Sequence, residues 1–126
     1  MIQQRSVLRV ADNSGAKTVR CIQVLGGVKK KTARLGDVVV VSVQELRNRF
    51  KNTSRVKKKE IYRALIIRTK IGCRKTNGVK TTFRSNSVVL INKQGNPVGS
   101  RIIGPITKLL KKKKFQKFIS ISVGTI

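Results

Sequence analysis

Apolar residues in this chain fall in short, β-branched runs separated by turn residues, and rarely at helical spacing. Residues 5–11 carry Val7, Leu8 and Val10. After Asp12-Asn13-Ser14-Gly15 come Thr18, Val19, Cys21, Ile22, Val24 and Leu25. Asn, Asp and Gly tolerate the left-handed backbone of tight turns, so these two runs predict a hairpin, with Gly26-Gly27 ending its second arm. Residues 38–43 are nearly continuous valine, which predicts a strand covered on both faces or closed into a barrel. Residues 62–69 and 87–92 repeat that character. Asn77-Gly78 predicts a tight hairpin, and Gln94-Gly95-Asn96-Pro97 another turn. Helix signals are confined to the end, where Pro105 and Thr107, as an N-cap, precede Leu109, Leu110 and a lysine-rich turn or two. Ile119-Ser120-Ile121-Ser122 alternates as a final short strand or extended tail does. No repeat or linker divides residues 1–126. The expectation is one mainly β domain, a small five-stranded β-barrel with short C-terminal helices.

Charge changes what such a barrel is for. The 126 residues hold Lys+Arg 30 against Asp+Glu 4, a net +26, with no histidine. A duplex carries a charge every ~1.7 Å of axis, so neutralising this chain takes ~44 Å of it, longer than one face of so small a protein. The expected setting is therefore among several nucleic-acid segments. The cations interrupt the strands in clusters: Lys17 and Arg20 in the first hairpin, Lys29, Lys30, Lys31 and Arg34 in the next connection, then Arg47, Arg49, Lys51, Arg55, Lys57, Lys58 and Lys59. Arg68, Lys70, Arg74 and Lys75 flank Asn77-Gly78 on one side, with Lys80 and Arg84 on the other; Lys111, Lys112 and Lys117 load the end. A single charge run is usually a solvated loop. Repetition on nearly every loop, almost without acids, points to polyanion binding.

Other chemistries are poorly supported. No run reaches the ~18 apolar residues of a membrane span. The N-terminus reads as mature structure rather than a transit peptide, because it runs directly into turn chemistry at Asp12. Cys21 and Cys73 lack metal-pair spacing and read as small free thiols. Asp12, Asp37, Glu45 and Glu60 are the only acids, each beside a turn or basic loop, and histidine is absent, so neither an enzyme, a metal site nor a cofactor is expected. Aromatic residues are few. Phe83 and Tyr62 read as core, and Phe50 is the best stacking position. Without a long recognition helix or an aromatic platform, the expected ligand is folded RNA read by shape and phosphate. A basic DNA-compacting protein is the alternative.

Several motifs occur in order along the chain: Met1-Ile2-Gln3, Val10-Ala11-Asp12-Asn13-Ser14-Gly15-Ala16, Cys21-Ile22-Gln23-Val24-Leu25-Gly26-Gly27, Gly36-Asp37 and Ala64-Leu65-Ile66-Ile67-Arg68-Thr69. Asn77-Gly78 with Phe83 and Asn86 follows, then Gly95-Asn96-Pro97-Val98-Gly99-Ser100-Arg101-Ile102-Ile103-Gly104-Pro105. Together, from residue 1 to about 122, they resemble the family of ribosomal protein fourteen of the large subunit. The resemblance implies a five-stranded barrel bound to large-subunit rRNA, with Asn13 and Ser14 joining the basic residues in that contact. It also implies neighbouring ribosomal proteins three and nineteen, a bridge to small-subunit rRNA, and a face for a ribosome-silencing factor at Ser100, Arg101 and Lys117. Relative to the bacterial pattern, the 46–59 connection is longer. It combines high charge with few apolar anchors, and is expected to order only against RNA or a neighbour. Lys59-Glu60 stands where that pattern has Gly-Asp, Leu109 and Lys113 replace acids, and Val123-Gly124 replaces Pro-Glu. Such lysine-rich drift favours a mitochondrial ribosome, then a plastid one, then a bacterial one.

Overall fold

The computed structural model describes residues 1–47, 54–111 and 113–126. Its strands are β1 (Val7–Val10), β2 (Ala16–Val24), β3 (Val38–Leu46), β4 (Ile61–Arg68), β5 (Cys73–Arg74), β6 (Lys80–Thr81) and β7 (Ser87–Ile91). Five of them, in the order β1-β2-β3-β4-β7, close a barrel, and β5 and β6 form a separate small hairpin. All barrel pairings are antiparallel except the closing one. There β1 and β7 run parallel through Arg9↔Ser87 and Val10↔Val88. Two 3-10 turns (Lys108–Leu110 and Lys113–Phe115) lead into one short helix, α1 (Gln116–Ser120).

Strand periodicity explains the interior. Leu8, Val10, Val19, Cys21, Val39, Val41, Val43, Ala64, Ile66, Val88 and Leu90 alternate inward into one core. A second core lies outside the barrel wall. Leu65, Ile67, Val89 and Ile91 point away from the interior and are covered by Ile102, Ile106, Leu110, Phe115 and Phe118 of the C-terminal segment. Phe115 and Phe118 meet edge to face, with ring centroids 6.2 Å apart. The strands buried on both faces are therefore the Ala64–Ile67 part of β4 and β7. The valine run of β3 takes the other expected form, a strand closed into the barrel: Val39, Val41 and Val43 are buried, but Val38, Val40 and Ser42 are only half covered, because the C-terminal segment crosses β4 and β7.

Two local expectations need correction, whereas the tight hairpin expected at Asn77-Gly78 forms, as β5–β6. Lys75 N–H donates to the Val79 carbonyl (2.9 Å) and Gly78 N–H to the Lys75 carbonyl (3.0 Å), which encloses a three-residue loop with Gly78 at φ +86°. Residues 119–122 are not a strand. Ile119 and Ser120 end α1, and only isolated bridges follow, Ser122 to Ile102 and Thr125 to Ile106. Thr107 stands at the N-cap position, but its hydroxyl caps nothing and is buried without a partner. Its carbonyl accepts from Leu110 N–H at 3.1 Å, so the tight 3-10 turn is closed by backbone alone.

Asp12 ties the first hairpin to β7, the strand that closes the ring against β1. Its buried carboxylate accepts from Ser14 N–H (3.0 Å), from the Ser14 hydroxyl and, across the closure, from Leu90 N–H (3.1 Å). Burial pushes this carboxyl above its usual 3.8 despite those donors and nearby Arg47. The native state therefore holds that proton more tightly than the unfolded chain. This contribution to stability is complete below pH 3.8 and declines as pH rises from there through the folded-state value.

Two strand entrances share one device. Ser6 N–H closes a turn onto the Gln3 carbonyl (3.2 Å), while Arg5 N–H donates to the Cys21 carbonyl (2.7 Å) and Cys21 N–H to the Ser6 carbonyl (2.9 Å). At β4, Glu60 N–H closes onto Lys57 (3.4 Å), Lys59 N–H donates to Val43 (2.8 Å) and Val43 N–H to Glu60 (3.0 Å). Each is a bulge, two residues against one, whose first residue is left-handed: Arg5 at φ +67° and Lys59 at φ +68°. The lysine in place of glycine thus keeps the turn, at a steric cost.

Lys59→Gly is expected to stabilise the protein by ~0.5–1 kcal/mol, relief of strain exceeding glycine's extra unfolded-state entropy. Urea unfolding should show a higher midpoint with an unchanged slope. Asp12→Asn should instead cost ~1–3 kcal/mol, because an amide nitrogen would face the buried Leu90 N–H donor to donor. The same unfolding assay reads it.

Candidate nucleic-acid interface

Strand directions send the cation clusters to the two open ends of the barrel. β1 ends and β2 begins at the 11–15 turn, β3 ends there and β4 begins there, so Arg47, residues 54–60 and the loop after β7 share that end. Lys17, Arg55, Lys57, Lys58 and Lys59 are exposed on it. The other end carries the 25–37 connection and the β5–β6 hairpin, with Lys29, Lys31, Arg34, Lys70, Arg74, Lys80 and Arg84 exposed, and Lys30 and Lys75 half-buried. Arg34 and Arg74, distant in sequence, line one open cavity of about 490 Å³ with Met1, Leu35, Ile71 and Leu109. Arg20 is exposed on the barrel wall and Lys111 on the C-terminal segment. Arg49, Phe50, Lys51 and Lys112 lie outside the described residues.

The four acids are engaged within the protein, three of them at turns or the barrel seam, which leaves most of the positive charge uncompensated. Asp37 accepts from Arg34 N–H (2.7 Å) and pairs with Lys30 (2.9 Å). Glu45 meets Lys17 at 3.5 Å, both exposed, a pair of small value in water. Glu60 accepts from Lys57 N–H (3.4 Å) and from the Tyr62 hydroxyl, which holds its carboxyl below the usual 4.5. Among the described residues these are the only ion pairs beyond hydrogen-bond tethers.

Several residues expected at the interface are occupied elsewhere. Ser14 is 1% exposed and its hydroxyl serves Asp12, so it has no surface to offer an RNA. Asn13 is a clip: its amide nitrogen donates to Ser100 Oγ (2.8 Å), and its oxygen accepts from the Ser100 (2.8 Å) and Arg101 (3.1 Å) backbone. Gly99 permits this closeness, since a Cβ there would lie 2.7 Å from Asn13 Oδ1. Ser100 and Arg101 are thereby held in place and exposed, and Lys117 reaches Asn96 Oδ1 at 2.6 Å. Arg68 is half-buried and donates to the Ile103 carbonyl (2.7 Å), joining β4 to the C-terminal segment, and its Nε is buried without a partner.

The described part of the 46–59 connection is better anchored than its composition predicts. Val56 is fully buried in the barrel core, Arg55 donates to the Val98 carbonyl (2.9 Å) and Arg47 to the Val10 carbonyl (3.1 Å). One valine among lysines gives no periodic signal, so sequence reading passed over it. Reading along strands would have found two other missed cations. Arg9 and Arg63 stand one residue out of step with the buried positions of β1 and β4 and are exposed.

The family model described as Ribosomal protein L14p/L23e matches residues 1–126, the whole chain. The chain belongs to the ribosomal protein L14p/L23e family. As an L14p/L23e protein it is a structural constituent of the large ribosomal subunit, in a family that is not enzymatic, and its place is on the ribosome. The closed five-stranded barrel agrees with the fold expected from the resemblance.

Tyr62 reports on the 57–62 turn without interference, being the only tyrosine. Burial, then donation to Glu60, raises its phenol to about 12. Alkaline absorbance titration should find its midpoint near that value, and Glu60→Gln should move it back toward 10. Because the raised proton is held by the native state, the phenol's contribution to stability falls as pH climbs through 10 to about 12.

Proposed function

We propose that this L14p/L23e protein binds folded large-subunit rRNA with both open ends of its barrel at once. The observation that carries this reading is the placement of the clusters at Lys29–Arg34 and Lys70–Arg84 at one end and Lys57–Lys59 at the other, with the acids committed internally. Forked guanidinium and compact ammonium groups are mixed at the ends, which suits phosphates presented at varied angles. Lys17, Arg20 and Lys111 extend the contact, as do Arg49, Lys51 and Lys112. Ser100, Arg101 and Lys117 serve the intersubunit side, where they meet small-subunit rRNA in a bridge and offer a face to a ribosome-silencing factor. Ribosomal proteins three and nineteen are the proposed protein neighbours, and a mitochondrial ribosome the proposed location. The clip from Asn13 supports the second role by fixing Ser100 and Arg101 on a rigid backbone.

Binding to a folded large-subunit rRNA fragment should weaken about 10³-fold or more between 50 and 200 mM salt, as expected for six or more phosphate contacts. Filter binding across that range measures it. A nearly flat salt response would overturn the phosphate reading, and equal affinity for duplex DNA at matched salt would favour general compaction of DNA instead. Co-sedimentation with large subunits from fractionated organelles tests the location.

A further inference from the structure

Beside the barrel closure, a cleft of about 420 Å³ gathers Arg9, Lys70 and Arg84 with Ser85 and Asn86. The three cations come from three separate places: the outer side of β1, the loop after β4, and the approach to β7. Asn86 holds the first two together. Its side-chain oxygen accepts from Lys70 N–H (2.9 Å) and its backbone carbonyl from Arg9 N–H (3.1 Å), so the backbone beneath both is fixed before any ligand arrives. The parallel pairing Arg9↔Ser87 sets Arg84 and Ser85 alongside. No carboxylate lines the cleft, and none of the three cations is in an ion pair among the described residues. Three like charges held together, without a counterion, over a backbone that cannot easily spread them, repel one another until an anion enters.

The geometry points to a discrete phosphate-binding cleft at Arg9, Lys70 and Arg84 that takes the phosphodiester backbone of RNA. This rests on the proposed RNA-binding function and sharpens it to a particular site. Two guanidinium forks and an ammonium match phosphate oxygens, which accept from several directions at once. The Ser85 hydroxyl adds a short-range donor, and Val7 at the rim gives a ribose an apolar wall. A carboxylate-bearing peptide is the competing occupant. It would present fewer acceptor oxygens per charge, and this polar cleft would bury little of its side chains.

The test uses the full-length protein, labelled with ¹⁵N, and inorganic phosphate at constant ionic strength. Saturable shifts should appear at the Arg9 and Arg84 side chains and the Lys70 and Asn86 amides. Shifts that grow without saturating and spread over Lys29–Lys31 and Lys57–Lys59 alike would overturn the cleft. Arg9→Gln and Arg84→Gln should each abolish the saturable response and weaken rRNA-fragment binding ~10-fold, lowering the log–log salt slope by ~1. Lys93→Gln, an exposed lysine elsewhere, should leave the phosphate response intact. Both arginines are exposed, and thermal melting confirms that each variant is folded; if one is not, the other poses the same question. RNA binding that survives both substitutions unchanged would overturn the RNA assignment while leaving the general function standing. Saturable phosphate binding in a protein that ignores rRNA would do the reverse. Displacement of phosphate by an oligoglutamate peptide more effectively than by short RNA would transfer the cleft to a protein partner and overturn the proposal.

Discussion

A ring of strands is closed only if its first and last members meet, and here that meeting spans two residue pairs, Arg9↔Ser87 and Val10↔Val88. Parallel pairing of short segments is weak by itself. What makes it hold is the polar work done beside it. Ala11 N–H donates to the Val88 carbonyl at 3.0 Å, Arg9 N–H to Asn86, and the Asp12 carboxylate takes the Leu90 N–H that the ladder leaves over. Everything else assumes this seam. The inward valines have a common interior only when the wall is continuous, and the two basic ends exist only because the barrel has ends rather than edges.

The placement of charge follows from the same economy of acids. A chain with four carboxylates cannot spread them as counterions and also use them as hydrogen-bond acceptors. Here they are acceptors first. Asp12, Asp37 and Glu60 each take backbone N–H groups in turns or at the seam, and only Glu45 does nothing but pair with a neighbouring lysine. The fold therefore spends its negative charge on geometry, and the resulting field is positive wherever a loop leaves the barrel. That field is what a polyanion meets on approach.

The barrel strands were legible in the sequence because short β-branched runs lie between turn residues, with period-two burial in β1 and β3 and both faces covered in β7 and the Ala64–Ile67 part of β4. For β3, composition left two forms open, a strand covered on both faces or one closed into the barrel, and the second is the one found. Four valines in succession look two-sided, yet whether the outer pair is covered depends on where residues 102–118 lie, which no local pattern encodes. Val56 and Arg9 were missed for opposite reasons: one anchor among lysines has no periodicity, and one arginine among apolar residues is not a cluster. Asn13 and Ser14 were assigned to the interface on family resemblance, but Asn13 holds Ser100 and the Arg101 backbone, and the Ser14 hydroxyl donates to the Asp12 carboxylate. Polar residues at a tight turn next to a seam satisfy local donors and acceptors before a ligand does.

The outer core carries a consequence for how the protein is made. Leu65, Ile67, Val89 and Ile91 face outward from a wall that can close as soon as β7 exists, but their cover, Ile102 to Phe118, emerges after β7 during synthesis. For that interval a closed barrel displays an aliphatic strip on a chain of net charge +26. The strip is apolar enough to associate with its own kind, and like charge on two such chains opposes the encounter. The excess of cations that the finished barrel carries thus also works against aggregation of the unfinished one.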